Sequence, residues 1–431
     1  MEQTLKSVNI RIMPIITIWK PLYYFLFMVF FLQSSIPGYF GIGSIESYSS
    51  KAYQLLIVFG LTAYFFRVLL ENKIRLLVVD KYLFLLIVFF LLSGLSSTYY
   101  SPLRMFVGTF DIVKYLSLIL VLRAVAIEEE VVEKIINIFT SIMVFAVYVA
   151  IIQQLLAQLN IYQITPTIKG FIYETPSIFG HTGFGMLCGL LFAVLFYKPD
   201  KSSYEKRAML LAALGVVLTT SRMAYLFLIT FFVINFLRAG KIKSMLAPVI
   251  IGIVLVVFVG FWKNFYDEAH YMSSNPDQLL RTYSMDRGIA IARDHPLLGT
   301  GPGTYGAVVS FLTKSPVYGD YMFSKKWYAF CSKFNSIDNF IPQLIAEGGA
   351  IGAFLFFLFW LKTSKYLALQ TNRFSWFGKA LSVSLICIIP MFFGSGLNLQ
   401  IVTFFLWSLI GVYISYSRMA NNRLKQVLIT A

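Results

Sequence analysis

Apolar residues in this chain gather into long runs separated by short polar links, with one polar stretch far longer than the others. Twelve runs read as membrane-crossing helices, at about 20 residues per crossing. They fall at 15–35, 52–70, 82–97, 106–125, 135–158, 177–197, 208–220, 223–237, 245–262, 340–361, 380–393 and 398–416. The seventh and eighth are short and meet at Ser221-Arg222, which predicts a tight hairpin. The long polar stretch separates nine spans from three. The chain thus divides into a helical block at 1–262, a large loop at 263–339 and a second helical block at 340–431.

Loops this long are uncommon unless they are functional or disordered. This one carries structural signals. Asn275-Pro276 reads as N-cap and first residue of a helix, and Asp277 suits the helix dipole. The helix is predicted to run to Asp294 and stop before Pro296, with Arg281, Met285, Gly288 and Ala292 on one face. Gly299, Gly301, Pro302 and Gly303 then predict a tight turn. An ordered polar loop fixed at both ends by membrane helices is the natural place for chemistry.

Composition agrees with the pattern. The chain is 58% hydrophobic and only 13% charged, against about 25% charged in a soluble domain, and mean hydropathy is +0.74. The fold class is therefore an all-α polytopic membrane protein with about twelve spans. The net charge of +16 raises the question of nucleic acid. Its distribution answers it: with a cytoplasmic N-terminus, twenty-three Lys and Arg fall in inside segments and four in short outside loops. That is the positive-inside pattern, and no nucleic-acid-binding motif is present. Both termini are predicted cytoplasmic and the large loop extracytoplasmic. Cys188 and Cys387 lie in spans and Cys331 stands alone in the loop, so no disulfide framework is implied. Lys6 and Arg11 precede the first apolar run as in a signal peptide, but no small-residue cleavage site follows, so it reads as a retained helix.

Several residues are candidates for chemistry. Arg222, an outside cation at the hairpin tip, fits either an anionic ligand or snorkelling to headgroups. Arg281 and Arg287 lie on the loop helix; guanidinium groups read phosphate bidentately, and a solvated helix surface is the plainer role for Arg287. The glycine run lacks the Lys-Ser/Thr of a P-loop, leaving a backbone anion nest or a plain turn. Asp338, followed by Asn339, sits at the outer mouth of the tenth span as an N-cap or as a general base. Glu347, among Gly348, Gly349 and Gly352, lies inside that span, where a charge costs about 2.5–3.5 kcal/mol and needs a partner. Asp111 and Lys114 are one turn apart in the fourth span, as an ion pair or a functional site. His181 opens the sixth span on the outer side, within reach of a substrate. The three histidines show no metal-site spacing and there is no H-E-x-x-H, so neither metal nor cofactor is implied.

These residues also carry a resemblance. Arg281 is followed after a helical dozen by Asp294-His295-Pro296-Leu297 and by Gly299, Gly301 and Gly303. Asp338-Asn339 is followed by Glu347, Gly349 and Gly352, and Thr219 or Thr220 precedes Ser221-Arg222. In this order, over 219–352, they resemble the O-antigen polymerase and O-antigen ligase superfamily. The resemblance implies a membrane glycosyltransferase of the GT-C class in the bacterial inner membrane, with its site on the periplasmic side. Its donor would be an undecaprenyl-diphosphate-linked glycan and its acceptor a second lipid-linked glycan. It also implies inversion without a metal and a chain-length regulator as partner. Arg222, Arg281 and Arg287 would hold the diphosphate, Asp338 and Glu347 would be catalytic, and Asn339, His181 and Lys114 would bind substrate. Ligases of this group usually carry His before the Asn; Asp338 stands there in this chain, which favours a polymerase of O-antigen, capsule or exopolysaccharide. The alternatives are a ligase acting on lipid A-core and a flippase for the lipid-linked sugar. A flippase is disfavoured because no repeated halves are visible.

Overall fold

The computed structural model describes residues 77–123, 127–159, 181–219, 221–239, 280–334, 340–393 and 400–430, with isolated shorter stretches at 57–58, 60–62, 161, 168–169, 172–173, 177 and 337. The first span, most of the second, the ninth, and the Asn275-Pro276 helix start lie outside the described residues.

The helices of the first block are α1 (Val78–Ser96), α2 (Pro102–Val113), α3 (Leu118–Arg123), α4 (Glu129–Gln158), α5 (His181–Tyr197), α6 (Ser203–Leu218) and α7 (Arg222–Ala239). The polar region supplies α8 (Leu280–Asp294), α9 (Val308–Leu312), α10 (Val317–Asp320) and α11 (Lys325–Phe334). The second block supplies α12 (Phe340–Ala368), α13 (Ser375–Ile388), a 3-10 turn (Ile389–Phe393) and α14 (Gln400–Thr430). One antiparallel ladder of two residues per strand, Ile168–Lys169 with Ile172–Tyr173, is too small to alter the all-α class.

Burial sorts the helices. Residues 183–195 of α5 and 402–417 of α14 are buried all round, as expected of central helices. In contrast α1 exposes Leu85, Val88, Leu92 and Leu95, and α4 exposes Phe145, Tyr148, Ile152 and Leu155. Each set repeats every three or four residues, so each is a lipid-facing apolar stripe. Among the described residues three helices, α1, α4 and α12, are long and apolar enough to cross a bilayer, and shorter apolar helices lie at Gly183–Tyr197, Met223–Leu237 and Ser375–Ile388. The protein is a multi-pass helical membrane protein.

Two spans depart from the sequence pattern. The fourth, expected as one helix over 106–125, is broken into α2 and α3 at Lys114–Ser117, where Ser117 Oγ donates to the Lys114 carbonyl at 2.7 Å. The tenth, α12, is kinked at Gly349, whose φ of 59° and ψ of −162° are non-helical. A residue with a Cβ resists that conformation. The Ser221-Arg222 hairpin forms as expected, with α6 ending at Leu218 and α7 starting at Arg222. Gly185 of α5 packs against this turn, where an added Cβ would lie 2.6 Å from both Thr219 Oγ1 and Ala224 Cβ.

Candidate functional site

The Pro296–Gly306 turn docks into the break in α12. Breaking a helix frees carbonyls before the kink and amides after it. Here the turn satisfies both sets. Thr300 and Gly301 donate their amides to the Ala346 and Glu347 carbonyls at 2.8 and 3.0 Å. In return Ala350 and Ile351 donate to the Pro296 and Leu297 carbonyls at 2.8 and 3.2 Å. From the other side, Ser93 Oγ of α1 donates to the Leu298 carbonyl at 2.7 Å and Ser97 Oγ donates to the Thr300 carbonyl. Gly299, Gly301, Gly303 and Gly306 all have φ between 68° and 88°, the left-handed region. The glycine run is therefore a backbone requirement.

Glu347 completes this joint. It is fully buried, and Oε1 accepts the Tyr305 amide at 2.9 Å while Oε2 accepts from Gln343 Nε2 at 3.3 Å. The Gly303 amide also donates to its carboxylate. The glycine turn is thus a nest for a carboxyl group, and that group is a side chain of this chain. Glu347, expected as a second catalytic carboxylate, thus has both carboxyl oxygens engaged within this joint.

Around the turn an aromatic cluster forms a small core, with Tyr305, Phe311, Tyr318, Trp327 and Cys331 buried. Ser284 of α8 ties it to the helix: its carbonyl accepts from Tyr305 Oη at 2.7 Å and its Oγ accepts from Trp327 Nε1 at 3.2 Å. Tyr318 Oη accepts the Gly306 amide at 3.0 Å and pairs with Ser310 Oγ at 2.7 Å. Burial pushes the Tyr305 and Tyr318 hydroxyls well above their usual range. Cys331, alone in the loop by sequence, is sealed inside this cluster.

The expected site residues fall into distinct settings. Lys114 is buried at the end of α2, and Nζ donates to Asp111 Oδ1 at 2.9 Å, one turn back in the same helix. Of the two roles expected for this pair, ion pair or functional site, the structure shows the ion pair. Arg287 stacks its guanidinium over the Tyr283 ring at 5.0 Å and the Phe323 ring at 6.0 Å, one turn and one segment away. Arg281 shares the α8 face of Gly288, and Gly288 packs so tightly on Pro342 that a Cβ would lie 2.7 Å from the proline Cβ. That contact brings α8 onto the start of α12. His181 opens α5 one turn before Gly185, and Arg222 opens α7; both begin at the end where Gly185 meets the hairpin. The side chains of His181, Arg222 and Arg281, and all of Asp338 and Asn339, lie outside the described residues. Among the described residues no group of three His, Cys, Asp or Glu side chains could hold a metal ion.

Sequence reasoning missed Ser93 and Ser97, which clamp the turn from a helix two hundred residues away in the chain. It also missed Arg104, which carries the α2 start along the turn: Nη2 donates to the Tyr99 carbonyl at 3.0 Å, and the Arg104 carbonyl lies where a Cβ on Gly303 would go. The one signal for this packing was Gly108, which faces Gly303 backbone to backbone.

A search of curated proteins finds no match to the chain. Residues 208–357 match a family model described as O-antigen ligase, and that segment spans Arg222, Arg281, Arg287, Asp338 and Glu347. The match supports membership of the O-antigen ligase and polymerase superfamily, the resemblance carried by the arginine, glycine-turn and Asp-Asn motifs.

Proposed function

We propose that this protein is a polysaccharide polymerase of the inner membrane, acting on its periplasmic face. It transfers an undecaprenyl-diphosphate-linked glycan onto a lipid-linked repeat unit, with inversion and without a metal. The observation that carries this reading is the family match over 208–357, which contains the hairpin, the loop helix and the start of α12 together. The polymerase branch rests on Asp338 at the position where related ligases carry His.

The chemistry follows from the donor. An acceptor hydroxyl attacks the anomeric carbon as the bond to the diphosphate oxygen breaks. The leaving diphosphate gains charge, and Arg222 and Arg281 stabilise it; Arg287, stacked on its two rings, is the weaker third member. Asp338 takes the proton from the acceptor hydroxyl on the opposite face. Asn339 and His181 position the sugars. The Gly288–Pro342 contact supports this arrangement, because it joins the helix carrying Arg281 to the residues that directly follow Asp338 and Asn339. Glu347 and the glycine turn hold that joint rigid.

The description of the matching family as O-antigen ligase favours a second reading, transfer of finished glycan to lipid A-core. The glycan profile of a deletion strain separates the two. Single repeat units on the final acceptor support the polymerase. Full-length glycan left on the carrier makes the protein a ligase, and glycan trapped inside the cell makes it a flippase.

A further inference from the structure

A cleft of about 340 Å³ opens in the loop region, lined by Lys314, Ser315, Tyr318, Phe323, Lys325 and Tyr328. This volume lies in the range of small-molecule sites, about 300–1,000 Å³. We propose that the cleft is a glycan subsite for an anionic sugar, one bearing a carboxylate; this rests on the glycan-transfer reading above.

Three observations point to that chemistry. Tyr318 is the hub of the wall, with Phe323 and Tyr328 each edge-on to it at 5.1 Å. Such rings offer apolar surface of the kind that packs on the C–H face of a pyranose. Ser315 is 3% exposed, yet its Oγ has no hydrogen-bond partner. A buried hydroxyl in a cleft wall with no partner calls for a ligand group. Lys314 and Lys325 flank the cleft and are both exposed.

Lys314 is held there against backbone preference. It ends α9 in the left-handed region, φ 48°, and Ser315 donates its amide to the Ser310 carbonyl at 2.8 Å. This is the Schellman ending, in which glycine normally occupies the left-handed position. A lysine at a position that glycine fills more cheaply indicates that the side chain is used. Across 312–334 the chain carries four lysines and a single acid, Asp320, and Asp320 takes a hydrogen bond from Tyr99. The cleft is therefore cationic as well as aromatic. A neutral sugar leaves the lysines unexplained, and a bare phosphate leaves the rings unexplained.

The subsite is one tyrosine from the joint: the same Tyr318 hydroxyl that lies behind the cleft receives the Gly306 amide.

The test is ligand-observed NMR on the full-length protein in nanodiscs of neutral lipid, with trigalacturonic acid and maltotriose as probes. The acidic trisaccharide is expected to bind at least roughly tenfold more tightly, and the preference is expected to fall with salt. Lys314→Ala with Lys325→Ala removes the preference, and Ser315→Ala weakens both probes. Both lysines are exposed, so the double variant keeps its fold. Equal binding of the two probes, or an unchanged preference in the double variant, overturns the proposal. The deletion-strain profile keeps the two ideas apart. Acid preference in a protein whose deletion leaves the glycan unchanged upholds the cleft and removes the transfer reading. Loss of polymer with no acid preference does the reverse.

Discussion

Asp338 and Glu347 are nine residues apart in sequence, and the proposed function gives them separate duties. Glu347 accepts hydrogen bonds inside the joint. Glu347→Ala leaves the Tyr305 and Gly303 amides buried without an acceptor, at about 1–3 kcal/mol for each. The purified variant is expected to show a clear drop in thermal midpoint, with Glu347→Gln milder because it keeps one oxygen. Equal midpoints for wild type and Glu347→Ala would show that the joint does not need the carboxylate. Asp338 is assigned the base, and substitution by Asn separates that from an N-cap, which tolerates Asn. Asp338→Asn is expected to retain donor binding and lose about 10²–10⁴ in turnover. For the arginines, Arg281→Lys is expected to stay impaired, because the proposed recognition of the diphosphate is bidentate. Arg287→Ala is expected to be milder, as its stacking on Tyr283 and Phe323 serves the fold as well. Normal polymer length from Arg281→Ala would remove that residue from the diphosphate site.

At the scale of elements, the central device is a kinked membrane helix repaired by a loop. Gly299 and Gly349 face each other across it, both at positive φ. Alanine at either position must enter the left-handed region and press on backbone, so a loss of more than about 1 kcal/mol is expected; unchanged thermal stability of Gly349→Ala would contradict the kink. The aromatic cluster beside it makes a pH prediction. Burial, with the hydrogen bond to Asp320, pushes the Tyr99 hydroxyl up to about 12, and Tyr305, Tyr318 and Tyr321 are also raised. Unfolded tyrosines ionise near 10. The folded loop thus holds its protons longer; its stability is fully present below pH about 10 and is lost as pH rises through the folded values. Tyrosinate absorbance is expected to lag that of the denatured chain, with the thermal midpoint falling over the same interval. Cys331 offers a second probe: enclosed in the cluster, it is expected to resist thiol reagents in the native protein and to react once the loop opens. Rapid native labelling would contradict the cluster's packing.

At the scale of the whole molecule, the sequence was informative where the signal is local. The end of α8 before Pro296, the left-handed glycines and the Ser221-Arg222 hairpin were all readable, because proline, glycine and a short apolar run act on their own neighbours. The partner of Glu347 was not, since Tyr305 lies forty-two residues away and offers only its backbone amide, which every residue type has. The break at Lys114 was hidden for a related reason: an i,i+3 ion pair reads the same in a continuous helix and beside an interrupted one. Polar and apolar alternation gave a multi-pass helical architecture but said nothing of which helices are central, which burial assigns to α5 and α14. If this joint serves a polymerase, as proposed, in vitro extension reveals it. Purified protein in nanodiscs is supplied with a lipid-linked repeat unit, and the products are resolved by length. A polymerase is expected to give a ladder of repeats still attached to lipid diphosphate, formed with chelator present and abolished by Asp338→Asn. Transfer to lipid A-core without any ladder, or a full ladder from Asp338→Asn, would contradict that reading.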